Sequence, residues 1–400
     1  MIEDGLSNSL VVLGASDRIA EVLSQSGRVI VHVVKPGTHV ERRAGPRSRV
    51  LSHDYEHEDF IDFATRVLPA FNPRAVVSVT ESGALPAARA NEALGLPGVG
   101  SEVVERFRNK ALMRELLSSS GTGRLSPQWC EAETGYDAAC HAQRWRSKWV
   151  IVKPVGGTAS AGVRLVSRDE LARMPSMAGM LVEEFIPGVE FSAETFTVNG
   201  FHKVIAVTEK ETNSAFIELG HVIPPRSLSP QQNNIVDRDI CAFLDAMGLE
   251  NGPAHTEFKF GLLGLMIIES HTRIGGDGIS ELVHLVTGVD ITLWSLLWPI
   301  QAEAIGDAVP VAPAAAVAFS TAAAGRVTGI QIPTGMHLND ASLVSLWPLV
   351  RVGDIVKPLG SSRERVVRAI TTGGTPESAI LAAHLVADAT VIATYEADDK

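Results

Sequence analysis

The stretch GPAHTEFKFGLLGLMIIESHTRIGGDGI, residues 252–279, restricts the fold more than any other part of the chain. Two apolar, β-rich runs flank the turn Gly261-Leu262-Leu263-Gly264, which predicts an antiparallel hairpin. Side chains alternate between faces along a strand. His255, Glu257 and Lys259 therefore share one face of the first strand, and Glu269, His271 and Arg273 share one face where the second ends. Folding about residues 261–264 brings Glu257 to within about one residue of lying opposite Glu269. Two carboxylates that close repel each other unless a cation intervenes. Mg²⁺ resolves the conflict, because it takes carboxylate oxygens together with substrate phosphates. The competing reading is a cross-strand pair neutralised by Lys259 and Arg273. The apolar run LMII beside Glu269 argues against a merely solvated arrangement.

A second stretch, WVIVKPVGGTASAGVRLV at 149–166, breaks a strand with Lys153-Pro154 and a loop of small residues before resuming. Glycines expose backbone N–H groups and let them approach phosphate oxygens. Gly156 and Gly157 supply that freedom, Lys153 a cation, and Thr158 and Ser160 hydroxyl donors. No GK[ST] closes the loop, so it is not a Walker motif. It reads as a hairpin loop folding over phosphates, with an ordinary flexible hairpin as the alternative.

In LVEEFIPGVEFSAE, residues 181–194, an apolar strand runs into Glu183-Glu184-Phe185-Ile186, a Pro-Gly turn and Glu190. Free backbone groups at such a strand end suit an adenine edge, and a carboxylate past the turn suits two ribose hydroxyls. A solvated acidic turn is the plainer account. In VTEKETNSAFIELGHVIPPR, residues 207–226, Glu209, Lys210, Glu218 and His221 interrupt β-like sequence. Each alone reads as structural; together they are candidates to line a substrate pocket.

The N-terminal region alternates LVVLGAS, DRIAEVLSQSG, RVIVHVV, AVVSVT and an alanine-rich helical segment, which predicts an open parallel α/β sheet over residues 1–100. LGAS lacks the full GxGxxG pattern and reads as a tight strand-to-helix turn. Glu81 follows a strand's carboxyl end, where such sheets bind ligands. It is either a substrate contact or a helix N-terminal carboxylate. Further along, the pattern predicts one helix over 104–121, long antiparallel strands over 190–225, a helix over 230–248 and another near 375–387.

The formal net charge of −11 argues against nucleic acid as a partner. Cys130, Cys140 and Cys241 show no metal-type spacing and read as free thiols of a reducing, cytoplasmic compartment. The N-terminus shows no signal-peptide pattern. The run AVPVAPAAAVAFSTAAAG at 308–325 is long enough for a membrane span, but its alanines and prolines predict a strand or helix of a soluble domain, with no membrane partner.

Taken in order, RNKALMREL with Lys110, the Lys153 loop, EEFIPGVEF, the Glu257/Glu269 pair and TRIGGD resemble the ATP-grasp superfamily over essentially the whole chain. HTEFK, ELGHVIPP and HTRIGGDGISELVHLVTGVD look most like its carboxylate–amine ligase branch, which includes bacterial L-amino-acid (dipeptide) ligases. The resemblance implies an α/β and α+β architecture. A Rossmann-like pre-ATP-grasp domain would span 1–102, a small lobe 103–188, a catalytic lobe 189–310 and a β-rich lid 311–400. It further implies that Lys110 and Lys153 hold ATP phosphates beneath the glycine loop, and that Glu183 with the backbone of Glu184, Phe185 and Ile186 reads adenine. Glu190 would hold ribose, and Glu257 and Glu269 would hold magnesium. Arg273 would stabilise charge during phosphoryl transfer and amine attack. His221, with Glu81, Lys210, Glu218, Gly275 and Gly276, would face the substrates.

One departure stands out. The family's metal-binding Glu-x-Asn is Glu269-Ser270-His271 here. Either His271 ligates the metal, which favours Mn²⁺ because Mg²⁺ prefers oxygen, or Glu269 and water suffice. The implied activity is ATP-dependent ligation of a small-molecule carboxylate to an amine such as an amino acid, in specialised metabolism, by a homodimer on superfamily analogy. An ATP-grasp carboxylase, a formate-using purine-type enzyme and a nucleotide-binding module without catalysis remain alternatives.

Overall fold

A computed structural model describes residues 8–40, 44–157, 161–300 and 309–395. Thr158 and Ser160 of the glycine loop lie outside the described residues.

The N-terminal region is the expected parallel sheet, in the spatial order Ser48–Ser52, Ile30–Val34, Ser9–Leu13, Pro73–Val77. Two of its elements are absent from the sequence reading, the edge strand Ser48–Ser52 and the helix Phe60–Val67. Their apolar signal is weak: SRVLS is nowhere fully buried, and the helix buries only Phe60 and Ala64. The helix Glu81–Leu94 begins just past the carboxyl end of Pro73–Val77. Thr80 caps it, its hydroxyl accepting from Gly83 N at 3.2 Å, and Glu81 thereby occupies the first turn.

The single helix expected over 104–121 is two, Ser101–Arg108 and Lys110–Ser119. Asn109 between them is extended, and its Oδ1 accepts from Leu112 N at 3.0 Å. The asparagine thus stops one helix and caps the next. Lys110 becomes the first residue of the second helix, with its N–H bonded to Val155 O at 3.1 Å beside the glycine loop.

The small lobe is an antiparallel sheet ordered Trp129–Cys130, Met180–Glu184, Trp149–Pro154, Arg164–Ser167, covered by the helix Gly135–Ala142. Gly135 is forced by packing. A Cβ there would meet the Leu171 carbonyl oxygen at 1.9 Å and the Met174 Cβ at 2.8 Å. Gly135→Ala is therefore expected to destabilise the lobe by about 3 kcal/mol, at the upper end for overpacking. Thermal melting checks it; an unchanged transition would contradict this contact.

An eight-stranded sheet forms the rest of the framework. Its order is Gly264–His271, Gly252–Gly261, Glu190–Val198, Phe201–Thr212, Glu218–Ile223, Ala314–Ser320, Val367–Gly373, Ser342–Pro348, every pairing antiparallel. The sheet runs unbroken through the position where the lid was expected to start. Ala314–Ser320, from the alanine-rich run, is a central strand, its small side chains packed against Ala379, Ala383 and Ala387 of the helix Pro376–Ala389. No single helix among the described residues is long and apolar enough to cross a membrane.

One face of this sheet is sealed by the helix Pro230–Met247, whose Ile240, Phe243, Leu244 and Met247 pack on Phe191, Ala193, Ala254 and Phe258. Burying a Phe of this kind contributes roughly 1.5–3 kcal/mol. Strand alternation then turns Glu190, Ser192 and Glu194, and His255, Glu257 and Lys259, to the opposite face. A side of the sheet rich in charge is held rigid by an apolar one.

Candidate active site

The hairpin pairs Glu257 directly with Glu269. Cross-strand register arranges the charged face in rows. Lys259 neighbours Glu190, which neighbours Lys210, which neighbours His221. In the next row Glu269 faces Glu257, which faces Ser192; in the third, His271 faces His255, which faces Glu194.

Both carboxylates of the pair are ionised. Burial works against the charge on Glu257, but Lys210 and His255 together overcome it and the repulsion of Glu269, and the pKa is held at about 2. Glu269 lies well below the usual carboxylate range: Lys110 and His271 overcome its burial. Lys110 Nζ is 2.9 Å from Glu269 and donates to the Gly157 carbonyl at 3.0 Å. Lys210 Nζ contacts Glu257 and lies 3.2 Å from Glu218 and 3.6 Å from Glu190. The neutralising cations are therefore Lys110 and Lys210, in place of Lys259 and Arg273.

A cleft opens beside the pair between the small lobe and the large sheet. Ile151, Phe185, Ile186, Phe216 and Ile268 supply its apolar walls, and Lys110, Lys153, Gly157, Glu184, Glu190 and Lys259 its polar groups. Glu183 also borders it, but its carboxylate is engaged within the protein, 2.7 Å from Lys153 Nζ and 2.8 Å from Arg114 Nε. Glu183 thus anchors Lys153, and the expectation that its side chain reads adenine gives way to that role. Arg114 is fully buried and also donates to Ile268 O at 2.8 Å. Nothing in the motif reading marked Arg114, although it stands one helical turn after Lys110. Burial, Arg114 and Lys110 lower the Lys153 pKa against the pull of Glu183. Burial, with Glu257 and Glu218, raises Glu190 despite Lys210 and Lys259.

Two facing carboxylates fit magnesium, which is commonly bound through one or two carboxylates with phosphate and water completing its shell. Lys110 and Lys210 bring to them the positive charge such an ion carries. Among the described residues no group of three or more His, Cys, Asp or Glu side chains converges on a metal position. His271 in particular does not complete one. Its Nδ1 lies 2.9 Å from Glu81 and its Nε2 3.4 Å from Glu269, so it spans two carboxylates, one on the helix Glu81–Leu94 and one on the strand Gly264–His271. The expectation of His271 as a ligand, and of a manganese preference following from it, is not supported by this placement.

Residues 147–281, which contain the loop, the cleft strands and the paired carboxylates, match the ATP-grasp domain family. The chain carries an ATP-grasp domain. The fold agrees throughout: an L-amino acid ligase from Bacillus licheniformis superposes with a TM-score of 0.82 at 22% identity, covering 98% of this chain and 99% of that one. Phosphoribosylglycinamide synthetase from Anaerococcus prevotii follows at a TM-score of 0.73 and 17% identity, covering 97% and 100%. Among curated proteins, the uncharacterized protein y4rH of Sinorhizobium fredii is 29% identical over 241 residues, 57% of this chain and 49% of that protein. Alanine–anticapsin ligase of Bacillus subtilis is 26% identical over 275 residues, 60% of this chain and 56% of the relative. The chain thus spans about half the length of these curated relatives.

Beside the paired carboxylates lies a second cavity of about 240 Å³, lined by Glu81, Lys210, Glu218, His221, Arg273 and Gly276 among others. Glu257 and Glu269 border both spaces. His221 is fully buried with neither ring nitrogen hydrogen-bonded, and its Nε2 lies 3.8 Å from Asp277. Arg365, from the C-terminal region, donates to Asp277 at 2.6 Å and stacks 3.7 Å above the Phe319 ring. Burial opposes ionisation of Asp277, but His221 and Arg365 hold it well below the usual carboxylate range. No motif in the sequence flagged Arg365; only the eight-stranded sheet brings it here. Arg273 Nε donates to Glu81 at 3.0 Å. Gly275 departs from expectation: its N–H is spent on Glu194 at 3.0 Å rather than offered to a substrate.

Glu194 is the largest omission of the sequence reading. It is fully buried, and its Oε1 lies 2.5 Å from His255 Nδ1, while His255 Nε2 lies 3.1 Å from Glu257. Burial disfavours the imidazolium, but Glu194 and Glu257 raise the His255 pKa to about 9. The period-two reading placed His255 on the Glu257 face; the strand that supplies Glu194 could be paired with it only in three dimensions.

Proposed function

We propose that the protein is an ATP-dependent ligase that joins a carboxylate to the amino group of an amino acid through an acyl phosphate, releasing ADP and phosphate. The observation that carries this reading is the shared wall. Glu257 and Glu269 border both the apolar-walled cleft and the charged cavity, where phosphoryl transfer between the two would occur. The amino-acid class is suggested by the relatives, an alanine–anticapsin ligase and an L-amino acid ligase.

In this reading the backbone of Glu184 to Ile186 meets the adenine edge and Glu190 the ribose. Lys110 and Lys153 hold the phosphates below the glycine loop. Glu257 and Glu269 would hold magnesium, which when bound offsets the negative charge of the phosphates. A carboxylate oxygen of the substrate attacks the γ-phosphorus, and the bond to the ADP oxygen breaks. The amine nitrogen then attacks the acyl carbon, and phosphate departs carrying the proton lost by nitrogen. Arg273, fixed by Glu81, faces the oxygen on which charge builds. Alignment and water exclusion supply the rest, since water would hydrolyse the acyl phosphate.

Quantifying nucleotide products with ATP, Mg²⁺ and pools of amino acids tests the proposal. ADP and phosphate are expected, in proportion, only with particular amino acids. AMP and pyrophosphate would overturn the mechanism. Glu190→Ala is expected to weaken ATP binding roughly tenfold, the equivalent of one charge-assisted hydrogen-bonding group. Unchanged affinity in calorimetry would remove Glu190 from the ribose position.

A further inference from the structure

Neither Glu194 nor His255 lines the nucleotide cleft; Glu194 is fully buried and His255 borders the second cavity, and together they connect three segments that carry the site. Glu194 lies on the strand of Glu190, His255 on that of Glu257, and Gly275 in the turn between Arg273 and Asp277. The Glu194 carboxylate uses both oxygens to join them. Oε1 meets His255 Nδ1 at 2.5 Å and accepts from the Ser192 hydroxyl at 3.0 Å. Oε2 accepts from Gly275 N at 3.0 Å. The other imidazole nitrogen holds Glu257 at 3.1 Å. The cluster is closely packed: a Cβ on Gly275 would lie 2.9 Å and 3.0 Å from the Glu194 oxygens and 3.0 Å from His255 Nδ1.

We infer that Glu194 and His255 are positioning residues that fix the Glu257 carboxylate for the metal and lock it to the Arg273–Asp277 turn. The inference rests on the ligase reading above. Carboxylates that bind metals are themselves held by outer hydrogen bonds, and losing such a partner costs roughly 10–100-fold in metal affinity or activity. Glu257 has one oxygen drawn towards both Lys210 and His255. Without His255, Lys210 alone sets its orientation and pulls it towards Glu218 and Glu190.

The chemistry of the pair predicts a particular pattern. In His255→Gln the new amide can donate to Glu257, but its oxygen meets the Glu194 carboxylate, acceptor against acceptor. Adding Glu194→Gln supplies a second amide, whose N–H can donate to that oxygen while its own oxygen keeps the Gly275 N–H. The double variant is therefore expected to be less impaired than His255→Gln alone, which loss of packing does not explain. Gly275→Ala removes no charge and perturbs the same pair through its Cβ.

The test is calorimetric binding of ADP with and without Mg²⁺, which requires no turnover. Wild type is expected to bind ADP more tightly with Mg²⁺. His255→Gln and Gly275→Ala should lose about tenfold of that magnesium-dependent gain, with magnesium-free affinity unchanged within about twofold. The double variant should recover most of it. If His255→Gln does not fold, Gly275→Ala carries the test. Folded variants with the full wild-type magnesium effect would overturn the positioning role while leaving the ligase reading intact. A wild-type protein that binds no ADP would overturn that reading and this inference with it.

Discussion

Glu269→Gln is expected to reduce ATP-dependent turnover by about 10²–10³-fold or more while leaving the protein folded. The magnitude is that of losing one cationic stabiliser of the reacting phosphate in a water-poor site, here the magnesium that Glu269 would help to hold. The substitution keeps the side-chain shape and its place opposite Glu257. It removes the counter-charge of Lys110, which retains the Gly157 carbonyl, and it also relieves the repulsion between two buried carboxylates. These effects oppose each other, so the melting temperature should shift by only a few degrees. ADP release measured against the folded fraction separates the two. Substantial remaining turnover would take Glu269 out of the metal site.

How far this site can be read from the sequence depends on the range of the contacts. The Glu257/Glu269 pairing needs only a hairpin and a two-residue period, and it is realised in register. The cleft residues Glu184 to Glu190 follow from one strand and its turn. The parallel N-terminal sheet follows from alternating apolar segments, except for the half-exposed strand Ser48–Ser52, which has no continuous apolar run. What stayed hidden is what distant segments contribute. Arg114 and Glu183 are 69 residues apart, and Glu194 and His255 61. Arg365 reaches Asp277 from 88 residues away. Local periodicity gives the face on which each of these lies and not the partner it meets. The second contact of His271 stayed hidden for the same reason. Its place beside Glu269 in sequence suggests a shared metal, whereas the helix Glu81–Leu94 presents Glu81 to its other nitrogen.

Glu81 accordingly carries the second large effect. From the first turn of the helix Glu81–Leu94 it reaches Arg273 at 3.0 Å, Arg108 at 3.1 Å and His271 at 2.9 Å, a junction between the N-terminal region and the large sheet. Burial disfavours its charge, but His271, Arg273 and Arg108 hold its pKa down to about 2 from an ordinary 4.5. That depression corresponds to about 3 kcal/mol of stabilisation of the ionised folded state. Because the folded pKa is the lower one, the contribution is complete above about pH 4.5 and is lost as pH falls through about 2. Glu81→Gln, which leaves the Arg108 and Arg273 guanidinium groups without the counter-charge they share, should therefore melt well below wild type at pH 7. The gap should narrow steadily between about pH 4.5 and 2. Melting curves of both proteins across that range check it, and a gap that stays constant with pH would show that the Glu81 charge does not hold the junction. The same variant should lower turnover more than it weakens ADP binding. Arg273 loses the partner that aims it at the second cavity, while the nucleotide cleft keeps all of its own residues.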